Sequence, residues 1–213
     1  MKLKICGMKY QDNIKDVANL QPDYLGFIFF KGSKRNFTED IPELPEKIKK
    51  TGVFVNATIG EIFNTVLKYK LSAIQLHGEE SVAYCHELKQ KFEAIKALEI
   101  IKVFSVGDSF DFKLLLSYEE VCDYFLFDTK GKERGGNGIT FDWKILQQYP
   151  SKKPFFLSGG IGLDEMDSLK AFLTSDASRY CHAIDVNSKF EIEPGLKKID
   201  ELKMFIRLLK QKI

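Results

Sequence analysis

Short apolar runs recur along the chain, separated by longer stretches in which apolar residues return every three or four positions. The runs fall at 3–6, 24–29, 52–56, 73–77, 100–105, 124–128, 154–158 and 183–186, and predict eight strands. Leu25-Gly26-Phe27-Ile28-Phe29-Phe30 and Tyr124-Phe125-Leu126-Phe127 are continuous rather than alternating, as parallel strands covered on both faces require. Between the runs, 59–70 places Ile62, Phe63, Val66 and Leu67 on one helical face, and 81–92 groups Val82, Cys85 and Leu88. The stretch 196–210 repeats Leu196, Ile199, Leu202, Phe205, Ile206 and Leu209 at the same spacing. Residues 92–106 read either as the fifth strand or as an extension of the preceding helix.

Eight strands alternating with helices in 213 residues match a small α/β protein of the (β/α)8 TIM-barrel type. A doubly wound parallel sheet is the alternative. No low-complexity tract or long Pro/Gly/Ser linker divides the chain, so residues 1–213 are expected to form a single domain. The barrel reading has a functional consequence. It brings the C-terminal ends of all eight strands to one pocket, so reactive residues there are read together.

Composition narrows the partners. The chain is 44% hydrophobic and 29% charged with a formal net charge of +2, which offers nucleic acid or a membrane surface no special attraction. Lysine runs such as Lys47-Ile48-Lys49-Lys50 read as a solvated helix face. The start MKLKICGMK is basic but lacks the apolar core of a signal peptide, and no window has the length to span a bilayer. The four cysteines, Cys6, Cys85, Cys122 and Cys181, are scattered and form no CxxC pair, which favours free thiols in a reducing cytoplasm. Cys85, Cys122 and Cys181 fall in or beside helical stretches and read as packing. No His/Asp/Glu spacing suggests a metal.

Polar or reactive residues follow almost every apolar run. Cys6 ends the first. A free thiol, pKa about 8.5, is only a few per cent ionised at neutral pH, and a nearby cation or helix N-terminus would lower that value and create a competent base. Asp128 ends the sixth run, where burial favours the protonated carboxyl that a general acid needs; the competing reading is a loop-capping Asp. Asp185, ending the eighth, reads as structural. Ser158-Gly159-Gly160-Ile161 follows the seventh run and reads as opening a helix that includes Asp164 and Glu165, with backbone N–H groups free to approach a phosphate. A tight turn is the plainer alternative. Asn187 and Ser188 add donors beside it. Gly135-Gly136-Asn137-Gly138, before a helix expected near Phe141, suggests a loop over the pocket. Arg35 offers a planar fork for a carboxylate, or a surface pair with Glu39 or Asp40. His77 ends the fourth run and faces substrate or the pocket wall; His86 and His182 read as surface or structural.

In these segments the chain resembles the phosphoribosylanthranilate isomerase family of tryptophan biosynthesis. The resemblance rests on Lys4-Ile5-Cys6-Gly7-Met8, Ser33-Lys34-Arg35, Gln75-Leu76-His77-Gly78-Glu79, Leu126-Phe127-Asp128-Thr129, Phe141-Asp142-Trp143, Leu157-Ser158-Gly159-Gly160, Asp185-Val186-Asn187-Ser188 and Pro194-Gly195, in family order along nearly the whole chain. It implies an Amadori rearrangement of N-(5-phosphoribosyl)anthranilate, a small phosphorylated substrate, without metal or cofactor; the chain itself is read as cytoplasmic, as a monomer or a homodimer. It places the general base on Cys6, the general acid on Asp128 and the anthranilate carboxylate on Arg35. The phosphate falls to Gly159, Gly160 and Ser188. Two departures stand out: Lys189 where many members carry a small residue, and Lys197-Lys198 where Lys-Asp is usual, which bears on where the final helix begins.

A sugar-phosphate epimerase would present metal-binding His and Asp at the strand ends, and the histidine-pathway isomerase would carry paired Asp residues in two halves. Cys6 with Asp128 fits neither. A catalytically silent barrel would tolerate loss of Cys6, Asp128 and Arg35.

Overall fold

The computed structural model describes residues 1–93, 95, 98–129 and 140–211. Eight parallel strands close into a barrel: β1 (Lys2–Ile5), β2 (Tyr24–Ile28), β3 (Lys49–Phe54), β4 (Ala73–Leu76), β5 (Glu99–Val106), β6 (Tyr124–Thr129), β7 (Phe155–Leu157) and β8 (Cys181–Val186). Closure comes from β1 pairing with both β2 and β8. This settles the two open readings: the sheet is a closed barrel, and the fifth run is a strand.

Helices α1 (Gln11–Asn19), α2 (Ile59–Tyr69), α3 (Val82–Lys91), α4 (Lys113–Leu116), α5 (Met166–Leu173) and α6 (Ile199–Lys210) lie between or after the strands. Starts are set locally. Thr58 and Glu61 form a capping box on α2, and the Ser81 hydroxyl accepts the Tyr84 N–H at the start of α3. One buried apolar layer, including Ile14, Ile62, Leu88, Leu169 and Phe205, joins helices to the barrel's outside. A second cluster of Tyr24, Ala73, Ile101, Val103, Leu126, Phe156 and Ala183 fills its interior.

Several expectations are corrected. The connection from β2 to β3 carries no α-helix, in keeping with Pro42 and Pro45, which lack the N–H a helix interior needs. Lys49 and Lys50 open β3 instead of facing solvent from a helix: Lys49 pairs with Glu99 across the sheet and Lys50 donates to the Tyr69 carbonyl. Cys181 opens β8. The segment after Phe141 forms a 3-10 helix over Trp143–Gln148. The final helix begins at Ile199, because Leu196–Lys197 forms β10 and pairs antiparallel with β9 (Glu191–Glu193) around Pro194-Gly195. Gly195 has φ +94°, which reverses the chain there and ends the apparent helical register.

Candidate active site

Side chains alternate along a strand, so a residue two positions beyond an interior one emerges at the barrel mouth. Leu126 precedes Asp128 in this way, and Ala73 precedes Gln75 and His77. Ala183 precedes Asp185 and Asn187. The mouth forms a cavity of about 850 Å³ counted out to its opening, lined by Cys6, Arg35, His77 and Asp128. Gly159, Gly160, Asn187, Ser188 and Lys189 line its other side. Every residue expected at the site is therefore in one cavity.

Cys6 is buried against β2, where a Cβ on Gly26 would sit 2.7 Å from Sγ; only glycine leaves the thiol its place. Beside it, Lys4 is fully buried and its Nζ donates to Asp185 Oδ1 at 2.8 Å, while Asp185 Oδ2 accepts the Ser158 hydroxyl at 3.1 Å. Burial works against the Lys4 charge, but Asp185 and Cys6 outweigh it and lift its pKa above the ordinary 10.5. The Cys6 thiol obeys the opposite balance. Burial pushes its pKa up, and although Lys4 and Lys197 pull it down, it stays above the ordinary thiol value. The expectation that neighbouring cations would lower this thiol is corrected: the cations are present, and desolvation outweighs them.

Asp128 Oδ1 accepts the Thr129 N–H at 3.0 Å, and Oδ2 lies 3.4 Å from His77 Nε2. On the far side of that ring, Gln75 Nε2 is 3.0 Å from His77 Nδ1. A Gln75 amide donating to Nδ1 leaves the ring proton on Nε2, facing Asp128.

Gly159 and Gly160 have φ +92° and +67°. These are not helical values, so the pair does not open a helix as expected; α5 begins only after Glu165. At Gly159 an added Cβ would clash with Thr129 Oγ1. Nearby, Lys189 Nζ lies 3.6 Å from Glu165 Oε1. Gly135-Gly136-Asn137-Gly138 lies outside the described residues.

A family model described as N-(5'phosphoribosyl)anthranilate (PRA) isomerase matches residues 3–208. The chain belongs to this family. The N-(5'-phosphoribosyl)anthranilate isomerase of Parabacteroides distasonis is 43% identical over 97% of the chain and 92% of that protein. The Phocaeicola vulgatus one is 41% identical, with both chains fully covered. Among solved structures, the Thermotoga maritima phosphoribosyl anthranilate isomerase superposes with a TM-score of 0.82 at 31% identity over the whole of both chains. A complex of such an isomerase with reduced 1-(o-carboxyphenylamino)-1-deoxyribulose 5-phosphate gives a TM-score of 0.79 at 30% identity, again over both chains entirely.

In this member of the isomerase family, Arg35 is not paired with Glu39 or Asp40. Its Nε lies 2.9 and 3.0 Å from the two Glu191 oxygens, and its Nη2 2.6 Å from Oε2. Glu191 also accepts from Lys197 Nζ at 2.7 Å and from the Gly195 N–H at 3.1 Å. Burial opposes the Glu191 charge, yet Arg35 and Lys197 together hold its pKa below the usual 4.5. Lys197, fully buried and bonded to Asn187 Oδ1 at 2.7 Å, is brought down to about 8, chiefly by burial. Sequence reasoning missed both Glu191 and Lys197. The signal available was the Pro-Gly turn flanked by Glu191-Ile192-Glu193 and Leu196-Lys197, which reads as a short hairpin. Asp185, expected to be structural, anchors Lys4 and also lines the cavity.

Proposed function

We propose that this chain rearranges N-(5'-phosphoribosyl)anthranilate to 1-(o-carboxyphenylamino)-1-deoxyribulose 5-phosphate, with Asp128 as general acid and Cys6 as general base. The observation that carries this reading is the convergence of a buried carboxyl and a buried thiol, from opposite sides of the barrel, on one cavity flanked by Arg35 and the Gly159-Gly160 turn.

The chemistry needs two proton transfers. The Asp128 carboxyl gives its proton to the furanose ring oxygen, the bond from that oxygen to C1 breaks, and a protonated Schiff base forms at C1. The Cys6 thiolate then takes the C2 proton. The C–H electron pair becomes the C1–C2 double bond of an enolamine and the nitrogen is neutralised; tautomerisation yields the ketose. The cationic Schiff base acidifies the C2 proton, so a thiolate suffices as base. Lys4 and Lys197 pull towards the Cys6 thiolate, against the burial that opposes it. His77 Nε2 lies 3.4 Å from Asp128 Oδ2, where a ring N–H dipole favours the carboxylate that forms as Asp128 gives up its proton.

Substrate binding divides the cavity. Arg35 takes the anthranilate carboxylate, while Gly159, Gly160, Asn187 and Ser188 present backbone and side-chain donors to the phosphate. Lys189 adds a cation there. All of residues 1–213 serve as one catalytic domain, working in the cytoplasm on a small molecule and not on nucleic acid. No helix of the described residues is long and apolar enough to cross a membrane. A solved structure of monomers generated from the dimeric Thermotoga maritima isomerase is 28% identical; this chain is read as a monomer or homodimer.

The test is the loss of substrate fluorescence when the purified protein meets phosphoribosylanthranilate. Turnover is expected, and a folded sample without it overturns the proposal.

A further inference from the structure

Arg35 has five N–H donors in a planar fork, and the edge holding Nε and one Nη2 hydrogen is taken by Glu191. That leaves the second edge, Nη1 with the other Nη2 hydrogen, on a side chain only 15% exposed at the cavity wall. A guanidinium held along one edge cannot rotate, so its free edge has a fixed direction. Such preorganisation removes the rotamer entropy a long side chain otherwise loses on binding. A carboxylate buried this close would by itself repel an incoming carboxylate. Lys197, bonded to the same Glu191 oxygen as Arg35 Nε, counters it, so the three side chains together present a net positive charge. The two residues face each other across the hairpin, Lys197 opposite Glu191, and Lys197 is tied onward to Asn187 at the other side of the cavity.

We infer that Glu191 is a positioning residue for recognition of the substrate's aromatic carboxylate: on the β9–β10 hairpin it clamps one edge of Arg35 and aims the other. This rests on the reading of Arg35 as the carboxylate anchor. A purely structural role for Glu191, holding the hairpin against the barrel, would affect every ligand of the cavity alike. A clamp would affect only those that bear the carboxylate.

Two stable probes separate the cases: reduced 1-(o-carboxyphenylamino)-1-deoxyribulose 5-phosphate and its counterpart with a plain phenyl ring. Their Kd values are measured by calorimetry on the wild type, Arg35→Ala, Glu191→Gln and Glu191→Asp. The wild type is expected to prefer the carboxylated probe. Glu191→Gln, which keeps the shape but loses the charge, is expected to weaken that probe about tenfold, in line with a charge-assisted hydrogen bond, and to leave the phenyl probe unchanged. Glu191→Asp keeps the charge at shorter reach; it is expected to lose part of the preference, and it serves if Glu191→Gln does not fold. Equal weakening of both probes overturns the clamp. If Arg35→Ala abolishes the preference while both Glu191 variants retain it, the clamp alone falls. If Arg35→Ala keeps the preference, the carboxylate assignment of Arg35 falls and the clamp with it.

Discussion

Burial and two lysines act on the Cys6 thiol in opposite directions, and burial prevails. The active form of a base is the deprotonated one, so a raised pKa leaves less of the thiol ready to act at a given pH. The thiol's pKa, read from the pH dependence of its alkylation by a small reagent, is expected above the ordinary thiol value. A pKa at or below that value would show the two lysines outweighing burial. Cys6→Ser and Asp128→Asn are each expected to lower kcat by about 10²–10⁴-fold with modest change in KM, the usual share of a general acid or base. Near-wild-type kcat in either variant removes that residue from the mechanism. Both positions were legible in the sequence because each ends an apolar run. The ionisation of Cys6 was not, since it depends on Lys197 near the other end of the chain and on the depth of burial.

The elements that carry the site are braced from behind. Glu80 and Lys102 are both buried, with Lys102 Nζ 3.0 Å from Glu80 Oε2 and 2.8 Å from the Gly78 carbonyl. Glu80 Oε1 also accepts the N–H groups of Asn56 and Gly78. This ties the turn after β3 to the turn after β4, next to His77. Removing one partner strands the other charge in the interior, so Glu80→Ala is expected to destabilise the fold by about 3–5 kcal/mol. Chemical denaturation reads this directly, and a loss below about 1 kcal/mol would show the pair to be dispensable. The β9–β10 hairpin teaches the complementary lesson. Leu196 and Ile199 share helical spacing with the residues after them, so periodicity extended α6 by one turn. The structure ends that turn because Lys197 points inward to Glu191 and Asn187 rather than along a helix face.

At the scale of the whole barrel, the floor opposite the active site is sealed by aromatic rings. His182 lies among Tyr24, Tyr124 and Phe156, with centroids 6.1, 4.5 and 5.3 Å away, and its Nε2 is 3.0 Å from the Tyr24 hydroxyl. Burial first, then Lys2 and Lys49, bring its pKa from 6.5 down to about 4. The unfolded chain therefore binds this proton more readily than the native one. The stabilisation is complete above pH 6.5 and is lost as pH falls towards 4. Denaturant midpoints at pH 7 and pH 4.5 are expected to differ more for the wild type than for His182→Phe. An equal drop would mean that His182 titrates alike in both states.

The alternation of apolar runs with helical spacing determined the eight strands, their order and the placing of Cys6, Asp128, His77 and Gly159 at strand ends, because strand and helix periods are local properties of a sequence. Tertiary structure decided what those residues face. Closing β1 against β8 brings Lys4 to Asp185, and the hairpin beyond β8 brings Glu191 to Arg35. Charge pairs between the two ends of a chain have no period to betray them. Their strength depends on a burial that exists only once the barrel is shut.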